Sequence, residues 1–210
     1  MKKYIIFDFD GTLADSENIV ISVCNQMAAK HNFSKIKKED IEYLRGLSLM
    51  DKCKFLNVPA YKLPFWAVDF YGLFRAALDS LRLFDGIKEL LEELNNKGYN
   101  LAIISSNSED IIREFLKKNE INYFNKIYCS SNLLGKDKVI RSFLKKYNIK
   151  NSDAIYVGDE LRDIVASKKN DLKVIWVDWG FDKIDVVKYE KPDFIVSSPK
   201  DILDVIENID

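Results

Sequence analysis

The sequence predicts an α/β fold: a parallel β-sheet with helices on both faces, carrying a small all-helical block inserted after the first strand. Three observations carry this. Short apolar runs at Tyr4–Phe7, Leu101–Ile104, Ala154–Val157 and Lys173–Val177 each run into a polar or glycine-containing turn, the pattern of buried strands. Between the later runs lie helix-length segments whose apolar residues recur at helical spacing. Residues 16–83, by contrast, show helical periodicity and almost no strand signal. Strands that alternate with helices call for a parallel sheet covered on both sides.

In chain order, Tyr4–Phe7 is the first strand and runs into Asp8-Phe9-Asp10-Gly11-Thr12-Leu13. Ile19, Val20, Val23, Cys24 and Met27 then mark a helix, and a second short helix is expected from near Lys37 to the stop at Gly46. Val58-Pro59 and Pro64 mark a break. The helix after them carries Phe65, Trp66, Phe70, Tyr71 and Phe74, a stripe that reads as packing against the other helices rather than as a cofactor site. Ile87, Leu90, Leu91 and Leu94 make one helical face that ends at Gly98. The strand Leu101–Ile104 leads into Ser105-Ser106-Asn107 and a helix with Ile111, Ile112, Phe115 and Leu116. There follow a short strand around Lys126–Cys129, a helix from about Lys136 to Tyr147, and the strand Ala154–Val157 ending in Gly158-Asp159. A further helix, the strand Lys173–Val177, a short strand at Phe194–Val196 and a helix from about Lys200 complete the chain. Gly180–Pro192 reads as a surface loop. The expected division is a core of residues 1–15 and 84–210 and an insertion of residues 16–83.

With 210 residues, 47% hydrophobic and 31% charged, the chain can bury a full core. A net charge of -1 gives no reason to expect nucleic acid or an anionic membrane as partner. Cys24, Cys53 and Cys129 are odd in number and widely spaced, which argues against a disulfide framework or a zinc site and for a reducing compartment. The apolar run before Asp8 is too short for a signal peptide, and no stretch reaches membrane-span length, so a cytoplasmic location is expected. His31 is the only histidine. It reads as a surface residue, which disfavours Ser-His-Asp and Cys-His chemistry.

The candidate site starts from Asp8 and Asp10. In open α/β sheets ligands bind past the carboxyl ends of the strands, and Gly11 lets the backbone turn so that both carboxylates can face one crevice. Two converging carboxylates repel and need a cation, for which Mg²⁺, a hard ion held by oxygen ligands, is the natural choice. With it present, one carboxylate can attack phosphorus and the other can give and take a proton. Ser105, with Ser106 and Asn107, ends a strand at a helix start, where a hydroxyl and free N–H groups suit a phosphate. Lys136 at the next helix start could neutralise the nucleophile and the phosphoryl oxygens, with Lys138 the alternative. Asp159 and Asp163, four apart at a helix start, share one face and could complete an oxygen shell.

These four segments, in this order, resemble the four motifs of the haloacid dehalogenase superfamily. The resemblance spans Asp8 to Asp163 and includes the insertion, which looks like the small α-helical cap of the subfamily containing phosphoglycolate phosphatase and β-phosphoglucomutase. It implies a Rossmann-like core and a Mg²⁺-dependent phosphatase acting on a small phosphorylated metabolite through an aspartyl-phosphate. The implied roles are Asp8 as nucleophile, Asp10 as acid and base, Lys136 as charge partner, Ser105 as phosphate ligand, and Asp8, the Asp10 carbonyl and Asp159 as metal ligands with Asp163. The proline that often follows the motif lysine is missing here. A dehalogenase would lack Asp10 and the metal. A phosphomutase of the β-phosphoglucomutase type would keep every motif, and a module phosphorylated without turnover is a further alternative. Specificity would lie in the cap, where Arg45 is the candidate anion clamp. Oligomeric state is left open.

Overall fold

A computed structural model describes residues 3–130 and 135–209. The elements run β1 (Tyr4–Phe7), β2 (Ala14–Asp15), α1 (Glu17–His31), α2 (Ile41–Leu44), α3 (Leu49–Phe55), α4 (Leu63–Ala76), β3 (Arg82–Leu83), α5 (Ile87–Asn96), β4 (Asn100–Ser105) and α6 (Glu109–Lys118). They continue with β5 (Phe124–Cys129), α7 (Lys136–Tyr147), β6 (Ala154–Gly158), α8 (Leu161–Lys168), β7 (Lys173–Val177), α9 (Ile184–Val187), β8 (Phe194–Val196) and α10 (Pro199–Asn208).

Six strands form one parallel sheet in the order β5-β4-β1-β6-β7-β8. Its strands are apolar throughout because both faces are covered, and successive residues serve opposite faces. Ile5, Phe7, Leu101, Ile103, Ile155, Val157, Ile175 and Val177 point to one core with the apolar faces of α5, α6 and α10. Ile6, Ala102, Ile104, Tyr156, Val174 and Trp176 point to the other, against α7 and α8. A one-residue slip of any strand would exchange the two sets, so the register is well determined.

The central strand β1 pairs with β4 on one side and β6 on the other. The chain order reverses there, and the carboxyl ends of these three strands open onto one crevice. The helical insertion, α1–α4, leaves after β1 and returns before α5. Its exit and re-entry run side by side: Ala14 pairs with Leu83 and Asp15 with Arg82 in a short antiparallel ribbon, β2–β3. Period counting misses this pair because two residues are too few to show alternation. Val23, Met27 and Phe74 of the insertion join the same core cluster as Phe9 and Leu13, so the block is packed onto the sheet side rather than merely tethered.

Two expectations need adjustment. The aromatic stripe of α4 is divided: Phe74 is fully buried, Trp66, Phe70 and Tyr71 are partly buried, and Phe65 is 80% exposed. A helix presents only one face to its neighbours, and Phe65 lies off it. The segment Gly180–Pro192 is more than a surface loop. It contains α9, buries Val187, and tucks Asp182 inside. Its composition is polar because those polar groups are partnered, as described next.

Candidate active site

After β1 the chain turns tightly. Leu13 and Ala14 N–H groups donate to the Phe9 carbonyl at 2.9 and 3.0 Å, and Gly11 N–H donates to Ala14 O at 2.9 Å. Gly11 sits at φ +75°, and a Cβ there would lie 2.2 Å from Asp159 Oδ2. Only glycine fits. The turn puts Asp8 and Asp10 at the crevice, as their spacing requires. Asp8 is buried, accepting from its neighbour Phe9 N–H at 2.7 Å and from Lys136 Nζ at 2.6 Å. Asp10 Oδ2 accepts from Asn107 Nδ2 at 2.8 Å, while its Oδ1 is buried without a hydrogen-bond partner. Burial, aided by the Asp8 charge and opposed by Asn107, pushes the Asp10 carboxyl up to about 6.

The second segment ends β4. Ser105 is buried and its Oγ accepts from Asn107 N–H at 3.1 Å. The Asn107 side chain is the link from this loop to Asp10, and its Oδ1 also accepts from Ser108 N–H at 2.7 Å. Ser108 caps α6. Ser106 accepts twice: at its carbonyl from Tyr71 of α4 and at Oγ from Arg162 at 3.1 Å.

Lys136, first residue of α7, is buried between Asp8 and Asp163 and donates to both. Burial alone would lower its ammonium, but Asp163 and Asp8 outweigh that and raise it. Lys138 is exposed. Of the two lysines, Lys136 is the one in the crevice.

In the fourth segment Asp159 is buried: Oδ1 accepts from Thr12 Oγ1 at 2.7 Å and Oδ2 from Phe181 N–H at 2.7 Å. Burial first, then the charges of Glu160, Asp163 and Asp8, raise its carboxyl well above the usual range. Glu160 also comes close to Asp8 and Asp163. One oxygen from each of these three lies within 4.8 Å of the others. Burial opposes ionisation of Glu160, but Arg162, Lys52 and Lys136 hold its carboxyl below the ordinary value. Asp163 accepts from Glu160 N–H at 3.0 Å as well as from Lys136, and burial pushes it up to about 6. Glu160 and Arg162 were missing from the expected site residues. The signal was present, since both stand within Gly158-Asp159-Glu160-Leu161-Arg162-Asp163, but a strand end does not announce that the second of two adjacent acids also faces inward.

Arg45 does not reach the acidic cluster. Its Nη2 donates to Gly180 O at 2.6 Å, and its Nε lies 3.8 Å from Glu17. Lys52 Nζ reaches Asp182 at 2.7 Å, and Asp182 in turn accepts from Leu161 N–H at 2.8 Å. Residues 180–183 therefore bind the insertion on one side and the start of α8 on the other.

Among the described residues, the cations that act on Asp8, Asp10, Asp159, Glu160 and Asp163 are Lys136 and Arg162, with Lys52 acting on Glu160, so acids outnumber bases. An all-oxygen donor set with excess negative charge, and an orphaned Asp10 Oδ1 beside it, fits a hard divalent cation. No helix among the described residues is long and apolar enough to cross a membrane.

Comparison with known proteins agrees. Phosphoglycolate phosphatase of Synechococcus elongatus is 28% identical over 206 residues, covering 98% of this chain and 97% of its own. Pyrophosphatase PpaX of Bacillus mycoides is 22% identical over 210 residues, covering 98% and 97%. The crystal structure of a Clostridium acetobutylicum protein described as a predicted phosphatase superimposes with a TM-score of 0.84 at 27% identity over 99% of both chains. The family model described as haloacid dehalogenase-like hydrolase matches residues 5–177, and the chain belongs to that family.

Proposed function

We propose that the protein is a Mg²⁺-dependent phosphatase that hydrolyses a small phosphomonoester, with Asp8 as nucleophile and Asp10 as acid and base. The observation that carries this reading is the meeting of two carboxyls at one crevice, one against a lysine and the other buried beside an amide. Asp8 accepts a hydrogen bond from the Lys136 ammonium at 2.6 Å. Asp10 is pushed up to about 6, so it holds a proton near neutrality far better than an ordinary aspartate. One group is ready to attack phosphorus, the other to protonate the departing oxygen. Asp8 then carries the phosphoryl group as an acyl phosphate, and the deprotonated Asp10 takes a proton from the water that releases it.

Asp8, Asp10, Asp159 and Asp163, with Glu160 close to Asp8 and Asp163, are the residues that would hold Mg²⁺, and the bound ion would supply charge neutralisation for the phosphoryl oxygens. Lys136 cancels part of the charge of Asp8 and keeps Asp163 oriented. Ser105, Ser106 and Asn107 would receive the phosphate, Asn107 also fixing the angle of Asp10. Asp159 also braces the Asp8–Asp10 turn through Thr12. The insertion of residues 16–83 acts as a cap over a core of residues 1–15 and 84–210, and Tyr71 bonds it to the phosphate loop.

The test is Asp8→Asn, which keeps size and hydrogen-bonding capacity but removes the nucleophile. It is expected to abolish Mg²⁺-dependent release of phosphate from p-nitrophenyl phosphate, a loss of at least roughly 10⁴-fold, with an unchanged circular dichroism spectrum. Retained turnover in that variant would overturn the assignment.

A further inference from the structure

A cavity of about 320 Å³ opens from the acidic site into the helical insertion. Its mouth carries Asp10, Ser106 and Asn107. Its walls are almost entirely carbon, with Val20, Cys24, Leu44, Leu56, Trp66 and Phe70 from four different segments of the insertion. An apolar cavity of about 150 Å³ is enough to hold a benzene ring, so this one has room for a ring or a branched chain.

The cations along the walls each lie at ion-pair distance from a carboxylate, while Arg45 Nε is a buried donor without a hydrogen-bond partner. Arg45 bonds the Gly180 carbonyl and faces Glu17, Lys52 pairs with Asp182, and Arg162 pairs with Glu160 and Ser106. Among the described lining residues each cation already has a protein carboxylate at ion-pair distance, with which a substrate carboxylate or second phosphate would have to compete. The only histidine, His31, stacks on Trp66 and bonds Asp69. Burying a second anion here would cost several kcal/mol without a partner. Burying carbon is favourable.

We infer that the alcohol portion of the substrate is uncharged and apolar, of ring or branched-chain size, and that it sits in this cavity while its phosphate meets Asp8. The inference rests on the phosphatase reading and narrows it, away from dianionic small acids and from pyrophosphate. Hydrolysis of such an ester breaks the P–O bond to Asp8 attack, releases the alcohol with the Asp10 proton, and returns phosphate after water addition.

The decisive measurement is kcat/KM for n-alkyl phosphates from methyl to hexyl with Mg²⁺, leaving groups of nearly equal basicity. Values are expected to climb roughly threefold to fourfold per added methylene. Phosphoglycolate and pyrophosphate are expected to fall below hexyl phosphate. Calorimetry supplies a readout free of turnover: n-hexylphosphonate should bind at least roughly a hundredfold tighter than methylphosphonate. Cys24→Phe, which fills the cavity, should flatten the series. A flat series, or phosphoglycolate or pyrophosphate as the better substrate, overturns the inference and leaves the phosphatase reading standing. No turnover of any ester, p-nitrophenyl phosphate included, overturns that reading instead; the phosphonate pair then decides the cavity, equal binding refuting it and graded binding supporting it.

Discussion

Gly11 shows how much a single position can carry. It combines a left-handed backbone with a side of the chain pressed against Asp159, where an added Cβ would sit 2.2 Å from Oδ2. Gly11→Ala is expected to cost about 2–4 kcal/mol in urea unfolding, from backbone strain plus the displaced carboxylate. A wild-type midpoint would refute that account. The aspartates and Lys136 were legible because their chemistry is tied to strand ends and helix starts, which apolar runs locate well. The inward turn of Glu160 was not. Asp159 is held by Thr12, 147 positions earlier, and by the Phe181 N–H, 22 positions later. Gly180 also leaves room for it, since a Cβ there would meet Asp159 Cβ at 2.1 Å. No local pattern encodes a placement made by such distant contacts.

Among elements, the stretch between β7 and α9 has the widest influence for its length. It fixes Asp159 through Phe181, the start of α8 through Asp182, and the insertion through Arg45, Lys52 and the Lys183–Glu42 pair. Strand and helix periods identified the regular elements nearby, yet this stretch read as loop because its polar residues are partnered across the fold rather than along the chain. The Lys52–Asp182 pair is largely buried, so it differs from the many exposed ion pairs of this protein, whose worth is small. Lys52→Met leaves Asp182 buried without its cation and is expected to cost about 2 kcal/mol. In a double-mutant cycle with Asp182→Asn the coupling should exceed about 0.5 kcal/mol. A coupling of zero would mean that the pair does not join the insertion to the core.

At the scale of the whole molecule, the crowding of acids makes stability depend on pH in an unusual direction. Burial raises Asp10 and Asp163 to about 6 and shifts Asp159 the same way. A carboxyl that titrates higher folded than unfolded gives stability that is complete below about pH 4 and is lost as pH rises through 6. Glu160 works in the opposite sense, as do the surface carboxylates held low by Lys54, Lys30 and Lys118, which solvent screening makes minor. Metal-free protein is therefore expected to melt at a higher temperature near pH 5.5 than near pH 7.5, and Mg²⁺ to raise the melting temperature mainly at the higher pH. Thermal unfolding after chelation checks this, and a metal-free optimum at the higher pH would refute it. The β2–β3 ribbon has a consequence of a different kind. Because the outgoing and incoming chains are neighbours, the excursion closes on itself, and the sheet senses only that two adjacent ends are joined. What lies beyond that doorway can lengthen, shorten or be exchanged wholesale while β1 and β4 stay in register, so a lineage can acquire a new diet without rebuilding its chemistry.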